Sequence, residues 1–274
     1  MTLRRAIAFL LALLACTSTW AAEPARIKVR LMAEAFPPLQ YVDPTGAVRG
    51  SAYKLVTTAL ADVSTALPVD VVPIEFVPLR RALQIAATDA NVVLFSVART
   101  PDREGKYQWL GTVSPYELWL YRHKDFHLPH VHDFSQLRGK GIRFGVQAGS
   151  NFQEWLTHEG VGAPPDNSIV DAVSSNSLNF EKAHVGRIDL FAHPEVSLAF
   201  RAAEHGMRAS DFEKVLLIEP LSAPLWVVTG LRSDPRLVSA LVQRLQRLRH
   251  SGQAERIRHE SLRQFNAVYH LEGR

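Results

Sequence analysis

The 274-residue chain is 47% hydrophobic and 21% charged, with 31 Lys and Arg against 27 Asp and Glu, a balance that excludes disordered and fibrous classes. It is long enough to bury one layered core or two smaller lobes. Beyond residue 21 the charge is nearly even, 29 basic against 27 acidic residues, and the one basic stretch, 232–274 with nine Arg and four acidic residues, reads as a solvated helical face rather than a nucleic-acid footprint.

Residues 1–21 join a short basic start (Arg4, Arg5) to an apolar run from Ala6 to Ala15 and then small residues, the layout of a secretory signal peptide. The run is too short to span a bilayer, and Thr19-Trp20-Ala21 offers a small-x-small cleavage site. The expectation is an exported, periplasmic chain with no membrane span. Leu13-Leu14-Ala15-Cys16 also resembles a lipoprotein processing site, so ordinary cleavage and a lipid anchor at Cys16 both stay open. Cys16 is the only cysteine, so stability in an oxidising compartment cannot rest on disulfides.

The rest alternates strand and helix patterns. Ile27 to Met32 reads as a strand with one buried face; after Phe36-Pro37-Pro38 and the turn residues Gly46 and Gly50, Tyr53 to Leu60 has helical spacing, with Ser51 placed as its N-cap. Val71 to Phe76, Arg80 to Ala87 and Asn91 to Ser96 continue as strand, helix and strand. Leu118 to Tyr121 is a further strand. A second alternation follows: strand Ile142 to Val146, helix Asn151 to His158, then strands at Ser168 to Val173 and Asp189 to Ala192. After Leu216 to Ile218 and the prolines 220 and 224 comes a strand from Leu225 to Val228. Two helices close the chain, the first with Asp234 as N-cap, Pro235 at its first position, and Leu237, Leu241, Leu245 and Leu248 on one face. Gly252 stops it. This is a layered α/β pattern, written twice.

Phe36-Pro-Pro-Leu-Gln-Tyr, Gly46 and Gly50, Ser96-Val-Ala-Arg-Thr-Pro-Asp-Arg103 and Ser114-Pro-Tyr116 resemble, in order and spacing, the bacterial extracellular solute-binding proteins of polar amino-acid ABC transporters. Gly139-Lys140, Gln147-Ala-Gly-Ser150, Gly186-Arg-Ile-Asp189 and Gly252 extend the resemblance over roughly residues 27 to 265. It implies a type 2 periplasmic binding protein fold: two α/β lobes joined by two crossovers, near Leu120 to Lys124 and Ile218 to Leu225. Lobe one would be 22–120 with 225–274, and lobe two 121–224. It also implies a small-molecule ligand in the interlobe cleft, hinge closure, a membrane permease as partner, a monomer and no cofactor.

The resemblance assigns Arg103 to the ligand carboxylate, a role its planar, permanently charged guanidinium suits. Gly149 and Ser150, opening a helix in lobe two, would turn backbone N–H groups and a hydroxyl toward an anionic group. Phe36 would pack on the ligand and Ser96 donate to its carboxylate. Amino-acid binders usually hold the α-ammonium with an Asp shortly after the Gly-Arg-Ile-Asp motif. Here His193-Pro194-Glu195 stands in that place, so either Glu195 substitutes or the ligand lacks an α-ammonium. Arg99 is a second cation near Arg103, either facing a more anionic ligand or forming a structural ion pair.

Other classes fit less well. Ser51-Ala-Tyr-Lys54 matches the S-x-x-K of serine β-lactamases and penicillin-binding proteins, but no Lys-Thr-Gly or Ser-Asp-Asn accompanies it. His127, His130 and His132 with Asp133 could bind a transition metal, yet Pro129 divides them and a solvated loop explains them. The enzyme alternative comes from the resemblance itself, since some proteins of this fold are periplasmic cyclohexadienyl dehydratases, whose chemistry needs a cleft carboxylic acid; Glu195 is the residue nominated. A binding protein that reports to a sensor is the third alternative.

Overall fold

The computed structural model describes residues 26–269 and 271; the expected signal peptide and Cys16 lie outside them. The chain builds two five-stranded mixed sheets. The first contains β1 (Ile27–Ala33), β4 (Val69–Phe76), β5 (Val92–Ala98), β6 (Tyr107–Ser114) and β12 (Leu225–Gly230) in the order β4-β1-β5-β12-β6. The second contains β7 (Leu118–His123), β8 (Arg143–Gln147), β9 (Ile169–Val173), β10 (Leu190–Pro194) and β11 (Phe212–Leu217) in the order β11-β7-β10-β8-β9. In each, three parallel strands are joined through helices, and the strand the chain uses to enter or leave the lobe runs antiparallel to its neighbours. A hairpin of β2 (Tyr41–Val42) and β3 (Val48–Arg49) lies between β1 and the first helix.

Each sheet is covered on both faces, which explains why its central strands are apolar without interruption. In the first lobe α1 (Ser51–Val63) and α6 (Pro235–His250) pack one face around Leu31, Leu55, Leu60, Phe95 and Val227, while α2 (Leu79–Thr88) covers Met32, Leu94, Val97 and Val228 on the other. Leu237, Leu241, Leu245 and Leu248 are each at most 1% exposed, so the heptad-like stripe is core; burying each such side chain is worth about 1.5–3 kcal/mol. In the second lobe α3 (Asn151–His158) packs Phe152 and Leu156 against Phe144 and Leu190. On the opposite face α4 (Leu178–His184) and α5 (Glu195–Glu204) pack Phe180 and Leu198 against Tyr121, Phe191 and Phe212. α7 (Gln253–Tyr269) closes the chain and returns toward the second lobe, where Phe265 and Tyr269 meet Phe200 of α5 and Tyr41 of β2.

Two expectations need correction, and one strand carried no reading. The first crossover lies at residues 115–117, not at 120–124, because β7 pairs with β10 and β11 from Leu118 onward; residues 118–120 therefore belong with the second sheet. The second passage, at 222–224, runs beside it, with the Leu118 N–H donating to Ser222 Oγ at 3.0 Å and Ile218 N–H to the Leu118 carbonyl at 2.9 Å. Ser51 is not the N-cap of α1 but its first residue, buried, behind Gly50 at φ 117°; a side chain at Gly50 would collide with the Leu39 carbonyl. Strand β6 carried no clear period-2 signal, because Gly111 interrupts it where Leu245 of α6 packs close against the backbone.

Candidate functional site

A cavity of about 110 Å³ lies between the lobes, lined from the first by Glu34, Phe36, Gln40, Ser96 and Arg103 and from the second by Gln147, Ser150, Asn151, Asn176, His193 and Arg201, with Tyr116 of the crossover as a wall. The lobes touch around it. Arg103 Nη2 donates to the Gly149 carbonyl at 3.0 Å and to Glu154 Oε1 at 3.1 Å, while Thr100 Oγ1 reaches Glu154 Oε2 at 3.4 Å. His158 Nε2 meets Asp102 Oδ2 at 2.8 Å, Gln147 Nε2 donates to Glu34 Oε1 at 2.5 Å, and Arg201 Nη2 donates to the Ala35 carbonyl at 2.9 Å.

Arg103 closes a short 3-10 turn, Pro101–Arg103, after β5. Its Nη1 donates to the Ala98 carbonyl at 3.1 Å, and the residue is 3% exposed. Nε is buried with no acceptor, an arrangement that costs on the order of 1–3 kcal/mol unless something supplies one. Ser96 sits at a register shift between β5 and β12 with φ 62°, a backbone region sparsely populated by residues other than glycine and found where a site over-determines it. Its hydroxyl donates to Gln40 Oε1 at 2.7 Å, and Gln40 Nε2 donates to the Glu34 carbonyl at 3.0 Å. Phe36 is half-buried and meets Tyr116 edge-on, with ring centroids 6.3 Å apart. The structure thus brings Arg103, Ser96, Phe36 and Ser150 to one cavity.

Gly149, Glu195 and Arg99 do not line it. The Gly149 N–H donates to Gln153 Oε1 at 2.7 Å, the Ser150 N–H donates to the Gln147 carbonyl at 3.1 Å, and Ser150 Oγ caps α3 by accepting from Gln153 N–H. The groups expected to cradle an anion are therefore occupied by Gln153 of the helix they start and by the Gln147 carbonyl at the end of β8, and Gly149 contributes its carbonyl, to Arg103, instead. Glu195 is exposed and pairs with Lys214 at 2.7 Å on the far side of the Pro194 turn. It borders a separate groove with Glu117 and Arg258 and lies outside the lining of the cavity where the sequence reading had put it. Arg99 pairs with Glu104 at 2.5 Å and lies over the Trp109 and Trp226 rings, a structural ion pair. No hydrogen bond joins Ser51 to Lys54 among the described residues, and His127, His130 and His132 lie exposed. Among the described residues no group of three potential metal ligands converges, and no helix is long and apolar enough to cross a membrane.

Eight of these lining residues were not assigned to the site from the sequence, among them Glu34, Arg201, His193 and Gln147. Glu34 follows β1; burial raises its pKa against the lowering effect of the Gln147 amide, the Leu79 N–H and Arg201. Arg201 on α5 donates to Glu204 Oε2 at 2.7 Å. His193 is buried, and desolvation lowers its pKa to about 3. Asn176 Nδ2 lies 3.0 Å from His193 Nδ1 and Ser197 Oγ lies 2.9 Å from Nε2, a pattern that assigns the neutral ring its proton at Nε2. Gln147 ends β8. Glu34 and Gln147 come from strand ends 113 residues apart in the chain, and only the Gln147-Ala-Gly-Ser150 motif hinted at either.

Solved structures of the same architecture are numerous. A histidine kinase sensor domain with similarity to periplasmic binding proteins superposes with a TM-score of 0.69, over 86% of this chain and 96% of that one, at 17% identity. An ancestral arginine-binding protein bound to arginine gives 0.68 over 86% and 98%, at 18% identity. The ancestral amino acid-binding protein AncCDT-1, a precursor of cyclohexadienyl dehydratase, gives 0.65 over 86% and 95%, at 18% identity. The fold is therefore the two-lobed α/β fold of periplasmic binding proteins. No family model matches the chain, and no curated protein sequence matches it.

Proposed function

We propose that this chain is an exported solute-binding protein that captures a small polar, carboxylate-bearing ligand in the interlobe cleft and delivers it to an ABC transporter. The observation that carries the reading is Arg103, a guanidinium buried at the junction of both lobes and the cavity, with Nε lacking an acceptor. A permanently charged planar donor is costly to bury for packing alone and well suited to a carboxylate. Ser96, Phe36 and Ser150 supply polar and aromatic lining suited to a small, amino-acid-like solute. Binding in such a cleft draws the lobes together, and the closed form is the one a membrane partner distinguishes.

The test is a thermal-shift screen of the chain from residue 22 onward against amino acids, dicarboxylates, polyamines and prephenate-like acids. A true ligand at 100 times its Kd adds about 2.7 kcal/mol, which raises the midpoint by roughly 5–10 °C for a chain of this size. The expected hit is a small carboxylate whose effect disappears in Arg103→Ala. A hit that persists in Arg103→Ala puts the carboxylate elsewhere, and turnover of prephenate replaces the binding reading with an enzymatic one.

A further inference from the structure

The turn that carries Arg103 into the cleft is also where the first lobe meets α3. Thr100 and Arg103 both reach Glu154, Asp102 reaches His158, and Arg103 donates to the Gly149 carbonyl. The turn's internal backbone bonds come from the Arg103 and Glu104 N–H groups, at 3.0 to 3.2 Å, and Pro101 has no N–H to add. Two side chains close it from outside. Arg99, the residue before the turn, donates from Nε to Glu104 Oε1 at 2.5 Å and from Nη2 to Oε2 at 3.2 Å, and Glu104 is the residue after it.

An ion pair at the surface is ordinarily worth little, because holding two long side chains in one geometry costs entropy. Here the cation is already seated. Arg99 Cζ lies 5.1 Å from the Trp109 ring centroid and 5.0 Å from that of Trp226, in range for cation–π attraction to both. The two rings stand 6.0 Å apart at 81° and belong to β6 and β12, adjacent strands of the first sheet. Trp109 in turn meets Tyr107 edge-on at 6.2 Å, and the Tyr107 hydroxyl donates to the Leu83 carbonyl of α2 at 2.9 Å. A planar guanidinium held this way loses little freedom when it grips a carboxylate. Contacts therefore run from α2 and the sheet through Arg99 to Glu104. Arg99 itself lies outside the cleft lining, so its influence on binding passes through the turn.

We infer that Arg99, seated on Trp109 and Trp226 and locked to Glu104, is a positioning residue that fixes the 100–103 turn and so presents Arg103 to the cleft. Hydrogen bonds tolerate a spread of only about 0.5 Å in length. A turn displaced by about 1 Å would therefore loosen Arg103 from the Ala98 and Gly149 carbonyls, which it reaches at 3.1 and 3.0 Å. This deepens the proposed function and rests on Arg103 as the group that meets the ligand; the fixing of the turn itself depends on no ligand. The competing account is a surface ion pair that only adds stability. It predicts a lower melting midpoint in Arg99 variants with Arg103 undisturbed.

The experiment follows the Arg103 Nε–H by NMR in arginine-labelled chain from residue 22 onward, first alone and then with acetate as the carboxylate probe. Arg103→Ala assigns the signal. In the parent this buried N–H is expected to exchange slowly with solvent. Arg99→Gln and Glu104→Gln should each speed that exchange by roughly tenfold or more, and the double variant by no more than either, because one contact is lost in all three. Arg99→Lys, which returns the charge without the fork, should recover part of the loss. Melting midpoints should fall by only about 1–3 °C. The inference is overturned if exchange in Arg99→Gln matches the parent, if the two single effects add in the double variant, or if Arg99→Lys recovers nothing. A midpoint lowered by more than about 10 °C also overturns it, since the faster exchange is then general unfolding. Should Arg99→Gln not fold, Glu104→Gln carries the same comparison. Acetate is expected to move the signal in the parent and to bind about fivefold more weakly to Arg99→Gln. If it binds both equally well, the positioning role falls and the carboxylate clamp stands. If it leaves the parent's signal unmoved, the clamp falls and the exchange comparison alone decides for or against the fixed turn.

Discussion

Arg103 makes three hydrogen bonds inside the protein, to the Ala98 and Gly149 carbonyls and to Glu154, so a ligand carboxylate has to compete with a resident one. Glu154 holds the arginine with one oxygen and approaches the Thr100 hydroxyl with the other, the kind of two-point contact a bound carboxylate would make. Removing that competitor should strengthen binding. Glu154→Gln is expected to raise the affinity for a carboxylate ligand by roughly tenfold, in line with a charge-assisted bond worth about 1.5–3 kcal/mol less what closure loses. Arg103→Ala should weaken it by at least that much. Isothermal titration on both variants checks the pair, and equal losses in both would make Glu154 a partner in binding rather than a rival. His193 gives a second residue-scale prediction. Its folded pKa, about 3, lies below the unfolded value of 6.5, so the unfolded state binds the extra proton between these values. The stability His193 contributes is fully present above pH 6.5 and declines as pH falls toward 3, by an upper bound of roughly 4–5 kcal/mol. Glu34 has the opposite sign. Its folded pKa is raised above 4.5, so its contribution is largest at low pH and diminishes as pH rises through that folded value. Urea midpoints measured from pH 7 to pH 4 should therefore fall less steeply in His193→Gln than in the parent; parallel curves would show that another group governs the decline.

At the scale of elements, the chain's apolar alternation marked most of the strands and helices of both lobes, because a sheet covered on two faces writes its buried strands as short hydrophobic runs. Capping chemistry was legible where a side chain performs it. Asp234 accepts from the Arg236 N–H at 2.9 Å and Ser150 accepts from Gln153, both as their residue types suggest. It was illegible where the backbone performs it, as at Gly50, whose role is the space it leaves for Leu39. Of the cleft, the residues carried by local motifs were findable, and those brought in from strand ends and from α5 were not. Glu34 and Arg201 look like ordinary solvated charges until the fold sets them on one cavity. Gly50→Ala tests how strongly that geometry depends on one turn. The added methyl meets the Leu39 carbonyl and the backbone is held at φ 117°, so the Phe36–Gln40 segment must shift. A loss of about 1–3 kcal/mol of stability is expected, together with weakened ligand binding, because Gln40 anchors both Ser96 and the Glu34 carbonyl. Stability lost without any change in affinity would separate the turn from the site. Asp234→Ala, on the far side of the first lobe, is the control: about 1 kcal/mol of stability and no effect on binding.

For the whole molecule, the question is what holds the two lobes together when so much of the contact between them is polar. Hydrogen bonds such as Asp102 to His158 lie at the exposed rim, where screening leaves them worth little. The aromatic cluster behind the cleft is different. Phe200, on α5 of the second lobe, is 9% exposed and packs against Phe265 and Tyr269 of α7, with ring centroids 5.2 and 4.7 Å away, while Tyr41 of the first lobe meets the same Phe265 at 5.1 Å. α7 itself belongs to the first lobe, through its packing on α1 and α6. Phe200 is therefore a side chain of one lobe packed against a helix of the other, a contact that separation of the lobes would break. Truncating a buried Phe costs about 3–5 kcal/mol when the whole loss falls on one state; here part of it falls on the closed state alone. Phe200→Ala is expected to shift the population toward open lobes and raise the ligand's Kd by one to two orders of magnitude, since apparent affinity falls with the fraction of competent molecules. Small-angle scattering should show a larger radius of gyration for the variant without ligand, and a return to the parent's value at saturating ligand. Unfolding of the individual lobes should be less affected, because Phe200 belongs to neither of their main cores. If the variant melts earlier but scatters and binds like the parent, the cluster is packing that the closed state shares with the open one, and the polar contacts around Arg103, Glu34 and Arg201 carry closure by themselves.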